Sequence, residues 1–107
     1  MRVPSYKDLI ISKEALVLDI NNPRLFNEDI ELEFPAGSRI LSASRVSPEV
    51  EDLLIRIWFI WSGESEQKWT YKIRICDAGV GVPDDYEYVD VIGNEFFVFR
   101  SRTPWET

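Results

Sequence analysis

Apolar and polar residues alternate most clearly between Asp52 and Asp77, in the segment DLLIRIWFIWSGESEQKWTYKIRICD. Successive side chains of a strand point to opposite faces, so this alternation predicts two long β-strands. The odd-numbered residues form one apolar face, made of Leu53, Ile55, Ile57, Phe59, Trp61, Trp69, Tyr71, Ile73 and Ile75. A polar segment, Ser62 to Glu66, separates the two strands. The pattern predicts a central antiparallel hairpin whose odd-numbered face lies in the core.

Shorter patterns of the same kind predict further strands on both sides of this hairpin. They are the segments 15–20, 30–34, 39–46, 86–92 and 95–102. The last two are expected to pair through a turn at Gly93 and Asn94, because two residues between apolar runs favour a tight hairpin. Residues 1–13 are expected to be an irregular lead-in, since Pro4 disfavours a regular ladder, and residues 103–107 a frayed tail.

The number of strand patterns defines the expected fold class. About seven short strands without a convincing helix predict an all-β fold, namely a single-domain antiparallel β-sandwich or flattened barrel. A chain of 107 residues has the length of one domain. We therefore treat residues 1–107 as a single β domain.

Composition excludes several functional classes. The chain has no His and one Cys, so it lacks the commonest catalytic base and the usual Cys/His zinc ligands, and it cannot form an internal disulfide. We expect no catalytic residue, no metal and no cofactor. A net charge of −7 makes the protein a poor binder of duplex nucleic acid. No apolar run has the length of a membrane span, so we expect no membrane partner.

An acidic cluster follows Pro83 and consists of Asp84, Asp85, Glu87 and Asp90. Carboxylates can bind Ca²⁺ or Mg²⁺, and paired carboxylates can carry out acid–base chemistry. The spacing matches no known loop motif, and two Asp residues after a Pro are first of all a turn signature, so we interpret the cluster as a solvated loop. Cys76 lies among strand residues without a His to activate it, which indicates a buried or inert thiol.

Basic residues and an indole form the candidate ligand-binding set. Its members are Arg56, Trp58, Lys72, Arg74, Arg100 and Arg102. Strand parity places the first four on one face of the predicted hairpin, and the last two join them if the C-terminal strand lies nearby. Guanidinium groups beside an indole suit a phosphate-bearing base through ion pairing and stacking. Two alternatives remain open: a solvated sheet face paired with Glu31 and Glu33, and a subunit interface.

Four segments follow one another in a suggestive order: IELEFPAGSRILSA, LIRIWFIW, KWTYKIRICDAGVGVPDD and YVDVIGNEFFVFR. The order resembles a family of small, mostly uncharacterised β-rich proteins encoded by tailed phages and prophages. The matching positions are Pro35, Gly37, Ile40, Leu41, Ser42, Trp58, Arg74, Ile75, Gly79, Pro83, Tyr88, Phe97, Val98 and Phe99. The resemblance implies a phage origin and a small β domain. It supplies no catalytic residues.

These observations predict a non-enzymatic, phage-encoded binding protein that counters a host defence system. It would either sequester a small nucleotide signal on the basic and aromatic residues or bind and block a host defence protein with its acidic surface. The alternative is a structural or assembly accessory protein of the virion. We expect it in the cytoplasm of the infected bacterial host. We also expect a homo-oligomer, because sheet edges and exposed aromatics such as Trp58 and Phe96 favour self-association.

Overall fold

The computed structural model describes residues 1–11, 29–46, 53–79, 81–93 and 96–106. These residues form eight strands and contain no helix, and thus none that is long and apolar enough to cross a membrane. The strands are β1 (Val3–Ile11), β2 (Ile30–Pro35), β3 (Arg39–Arg45), β4 (Leu53–Trp61), β5 (Lys68–Asp77), β6 (Tyr86–Ile92), β7 (Phe96–Ser101) and β8 (Trp105–Glu106). The predicted strand 15–20 lies outside the described residues. The strands predicted at 30–34, 39–46, 86–92 and 95–102 are confirmed as β2, β3, β6 and β7.

The strands make two antiparallel sheets that pack around one core. The first sheet has the order β1-β4-β3, and the second has the order β2-β5-β7-β6, with β8 paired to β5. β8 pairs with Trp69 and Thr70 of β5. At these residues β2 pairs with the opposite edge of β5, so β8 lies along the same edge of β5 as β7. The predicted all-β fold with sandwich-like packing is confirmed.

The predicted central hairpin is wrong in its pairing. β4 is the middle strand of the first sheet, whereas β5 lies inside the second sheet, so the two strands are not neighbours. The connection Ser62–Gln67 carries the chain from one sheet to the other. Gly63 adopts a left-handed conformation there, and a Cβ at this position would lie 3.0 Å from a methyl carbon of Val3. A glycine therefore allows the connection to pass close to β1.

The predicted apolar face is correct even though the pairing is not. Each of the two long strands turns its odd-numbered residues to the space between the sheets, where Ile55, Ile57, Phe59, Tyr71, Ile73 and Ile75 are all buried. Phe34 of β2 joins the two sets, because its ring packs edge-on against Phe59 at 5.1 Å and against Tyr71 at 5.7 Å. Phe96, expected to be exposed, is partly buried and packs against this core.

Side chains close the two sides of the sandwich. On one side, the Lys7 ammonium of β1 donates a hydrogen bond to the Glu33 carbonyl of β2. On the other side, the Asp90 carboxylate of β6 accepts a hydrogen bond of 3.1 Å from the Ala43 amide of β3. Unpaired backbone groups at a sheet edge invite association with other chains. Here two of them are bound by side chains of the opposite sheet.

Both ends of the chain differ from their prediction. Residues 3–11 form β1, which pairs with β4 along its whole length, so the predicted lead-in is a strand. Pro4 is compatible with it because β1 is an edge strand, where one side of the backbone needs no partner. At the other end, Trp105–Glu106 is not frayed but forms β8.

A tight turn follows β2, where the Ser38 amide donates to the Pro35 carbonyl at 3.1 Å and Gly37 has the positive φ that such a turn requires. The closing hairpin is also present, but its register pairs Ile92 with Phe96. Three residues therefore connect the strands, and not the two that were predicted.

Candidate functional site

The structure distributes the predicted ligand-binding residues over three places. Arg56 and Trp58 lie on the outer face of the first sheet, whereas Lys72 and Arg74 lie on the outer face of the second. Arg100 pairs with Ile73 in the β5–β7 register, so it belongs to the inner face of the second sheet. A single surface shared by all of these residues is therefore wrong. It followed from the hairpin pairing, which the fold does not have.

The outer face of the first sheet is built around Arg56. Its guanidinium carbon lies 3.9 Å from the centre of the Tyr6 ring and 6.0 Å from that of Trp58. Two hydrogen bonds of 2.8 and 3.1 Å join it to the Asp8 carboxylate. The Tyr6 and Trp58 rings themselves meet edge-on at 5.4 Å. Stacking and ion pairing together hold Arg56 in one conformation on this face.

The outer face of the second sheet carries a similar arrangement around Arg74. Its Nε donates to the Asp29 carboxylate at 3.0 Å, and the same carboxylate oxygen accepts a bond of 2.7 Å from the Tyr86 hydroxyl. The guanidinium carbon of Arg74 also lies 5.3 Å from the centre of the Tyr86 ring. Asp29, Arg74 and Tyr86 thus form one connected polar network at the surface.

Aromatic side chains surround this network. The ring of Tyr88 packs edge-on against Phe99 at 6.0 Å and is 55% exposed. Lys72 places its ammonium 5.4 Å from the centre of the Trp105 ring, which is 36% exposed. Glu31 lies directly opposite Lys72 in the β2–β5 register. The second-sheet outer face therefore combines exposed rings with charges of both signs.

Arg100 and Arg102 share one carboxylate. Glu87 accepts a hydrogen bond of 2.7 Å from Arg100 and one of 3.2 Å from Arg102. Arg100 also lies 5.7 Å from the centre of the Tyr71 ring, at the margin of the core. These two arginines stabilise the end of the β6–β7 hairpin.

The acidic cluster is dispersed by the fold. Glu87 accepts hydrogen bonds from Arg100 and Arg102, and Asp90 accepts one from the Ala43 amide. The described part of the chain holds no group of three or more His, Cys, Asp or Glu side chains that could bind a metal ion. Cys76 is buried, in agreement with its interpretation.

Ion pairing and burial shift the pKa values of the groups in these networks. The hydrogen bond from Arg56 lowers the pKa of Asp8 and raises that of Arg56 itself. Burial alone would raise the pKa of Asp29, but the hydrogen bonds from Tyr86 and Arg74 outweigh it and the pKa is lowered. Burial, and then the hydrogen bond to Asp29, raise the pKa of Tyr86 to about 12.

Alkaline titration should detect the Tyr86 network. Because the folded pKa of Tyr86 exceeds its ordinary value of 10.0, the network stabilises the fold fully below pH 10.0 and loses this contribution as the pH rises through about 12. Ultraviolet absorbance of phenolate should therefore show a late phase whose amplitude falls in Tyr86→Phe. Tyr88→Phe, on the same strand but outside the network of Tyr86, Asp29 and Arg74, serves as the control. An unchanged late phase in Tyr86→Phe would contradict the assignment.

The carboxylates that complete these networks were not identified from the sequence. Asp8 lies in the segment that was expected to be irregular, and Asp29 ends a polar loop, so neither had an assigned neighbour. Their arginines are 48 and 45 residues away along the chain. A pattern within one strand cannot reveal such pairs, because they depend on which strands become neighbours.

Comparisons with protein-family models, with curated proteins and with solved structures found no match to this chain. They bear neither for nor against the resemblance to phage proteins, which stays a prediction.

Proposed function

We propose that this chain is a non-enzymatic binding protein that docks on another protein through its second-sheet outer face. In keeping with the phage resemblance, we propose a bacterial host protein as the partner and a host defence system as the process that is blocked. The main support is the ion pairing of the arginines in the candidate set. Each of the four in the candidate set is already paired with a carboxylate.

This pairing favours a protein partner over a nucleotide. A phosphate group would have to share an arginine with the carboxylate of Asp8, Asp29 or Glu87, on a chain whose net charge is −7. The negative charge of that carboxylate opposes the phosphate and reduces the gain from each new charge-assisted bond. Lys72, the remaining cation of the set, faces Glu31 across the strands. Sequestering a nucleotide signal is therefore the weaker of the two mechanisms.

The exposed rings suit a protein partner. Tyr, Trp and Arg dominate the binding energy of protein interfaces, particularly where a rigid neighbour already holds the side chain. On this face Trp105 lies against Lys72, Tyr88 lies against Phe99, and Arg74 is fixed by Asp29. A partner would meet side chains that lose little conformational freedom on binding. Charges of both signs around them would set its orientation.

The experiment is a comparison of host-protein capture by matched variants. Tagged protein is incubated with bacterial lysate, captured proteins are identified by mass spectrometry, and the affinity of the purified partner is measured by calorimetry. Tyr88→Ala combined with Trp105→Ala should weaken binding at least about tenfold, the scale of a lost hot spot. Glu64→Ala, which removes an exposed side chain from the connection between the two sheets, should leave the affinity unchanged.

Two outcomes would overturn the proposal. One is a partner that binds the double variant and the native chain equally well. The other is a nucleotide, from a panel of cyclic and linear nucleotides, that binds the native chain and loses affinity on Arg74→Ala. Circular dichroism of every variant ensures that a loss of binding is not a loss of folding.

A further inference from the structure

The outer face of the first sheet is not used by the proposed function, and its register gives it an internal order. Side chains directly opposite each other on neighbouring strands form rows across the sheet. From one end to the other, the rows on β1, β4 and β3 are Pro4–Ile60–Arg39, Tyr6–Trp58–Ser42, Asp8–Arg56–Ser44 and Ile10–Leu54–Val46. The two end rows are mainly apolar, and the two middle rows hold the aromatic rings and the ion pair.

Apolar and aromatic side chains are exposed over most of this face. Ile10 is 66% exposed, Tyr6 50%, Trp58 38% and Val46 37%. Leu41, the extra residue of the bulge in β3, is exposed beside them. Contiguous exposure of this kind marks an interaction surface more often than a solvated one.

The rows are complementary to themselves. Consider a twofold axis that lies in the plane between two facing copies and crosses β4 between Arg56 and Trp58. This axis exchanges the two middle rows and the two end rows. Trp58 then faces Arg56 of the second copy, and Tyr6 faces the carboxylate Asp8. A guanidinium over an indole and a phenol beside a carboxylate are both favourable pairs.

The same twofold rotation places the apolar residues of one end row opposite those of the other end row. Ile60 faces Leu54 of the second copy, and Pro4 faces Ile10, so apolar side chains cover apolar side chains. A twofold axis along β4 is worse, because it places Arg56 on Arg56 and opposes like charges. The register therefore favours the axis that crosses β4 over the axis that runs along it.

The charges of this face also tolerate burial in a dimer. Arg56 and Asp8 already bind each other at 2.8 Å, so covering them leaves neither charge unpaired. The whole chain has a net charge of −7, so two copies repel each other unless the contacting faces carry little negative charge of their own. On the first-sheet outer face Asp8 and Arg56 offset each other, and Arg39 adds a positive charge to the rows.

We propose that the first-sheet outer face binds a second copy of this chain in a twofold dimer, with the axis crossing β4 between Arg56 and Trp58. The interface is isologous, so each pair of contacts occurs twice. The dimer leaves both second-sheet outer faces free on opposite sides of the assembly. It thus does not depend on the proposed function, and it would give that function two equivalent binding faces.

Light scattering tests the dimer with purified protein and no host component. The native chain should have a mass of twice 12.5 kDa at micromolar concentration. Trp58→Lys should shift the protein to the monomer, because an ammonium would replace the indole and would face Arg56 of the second copy, which opposes like charges. Tyr88→Lys on the second sheet is the matched control and should stay dimeric. A native monomer, or a Trp58→Lys variant that remains dimeric and folded, would overturn the proposal.

Cysteine cross-linking tests the position of the axis. In a Cys76→Ala background, Ile60→Cys and Leu54→Cys are prepared as separate proteins and then mixed under mild oxidation. The proposed axis predicts a disulfide in the mixture and none in either protein alone. Disulfides within each single variant would instead indicate an axis along β4 and would overturn the proposed geometry. Circular dichroism confirms that both variants are folded.

Discussion

Replacement of Ile57 by Ala is expected to lower the free energy of unfolding by about 2–5 kcal/mol. The Ile57 side chain is 0% exposed and lies on the middle strand of the first sheet, between Lys7 of β1 and Ala43 of β3. The substitution removes apolar atoms that pack against both sheets, and the sheets cannot close the resulting cavity because their own strands hold them apart. The loss therefore includes both the transfer free energy and the cavity.

Urea unfolding followed by circular dichroism measures this loss. Gln67→Ala is the matched control, since it removes a side chain of similar length that is exposed in the connection between the sheets, and it should change the stability by less than about 0.5 kcal/mol. Equal losses in the two variants would mean that the space between the sheets is not the core. A spectrum dominated by helix in the native protein would contradict the fold itself.

The correct prediction of the apolar face and the wrong prediction of the hairpin have the same physical origin. Burial alternates with a period of two along any strand that has one face in a core, whichever strand lies beside it. The positions of Ile57 and Ile73 in the core could therefore be predicted from the sequence. The pairing could not, because a connection that crosses between sheets has the same polar composition as a turn. The predicted polar segment, Ser62 to Glu66, has five residues, a length that hairpin loops also have, so its length does not exclude a hairpin.

The candidate site illustrates the same limit. Strand parity correctly places Arg56 beside Trp58, and Lys72 on the same strand face as Arg74. Whether those cations are available to a ligand depends on residues far away in the chain, and the structure pairs Arg56 with Asp8 and Arg74 with Asp29. A carboxylate beside each of these arginines opposes the negative charge of a phosphate. The long-range pairing therefore favours a protein over a nucleotide as the proposed ligand.

The second large loss of stability is expected where β3 of the first sheet meets β6 of the second. Asp90→Ala is expected to destabilise the protein by about 1–3 kcal/mol, the cost of a buried polar group that loses its partner. The Asp90 carboxylate accepts one hydrogen bond of 3.1 Å from the Ala43 amide and another of 2.9 Å from the Val91 amide. Ala43 is 5% exposed, so its amide cannot bind water unless β3 and β6 separate.

Asp90→Asn separates the hydrogen bond from the other effects of the substitution. The amide oxygen of Asn can still accept a bond from Ala43, although it carries no charge, so the loss should be smaller than in Asp90→Ala. Hydrogen exchange measured by nuclear magnetic resonance provides a local readout, since the Ala43 amide should exchange faster in Asp90→Ala. If both variants lose equal stability and Ala43 keeps its protection, the carboxylate does not hold the two sheets together at this edge. A larger loss of stability in Asp90→Ala than in Asp90→Asn, with faster exchange of the Ala43 amide, would assign Asp90 a structural role. That role would explain its position at the bulge of β6.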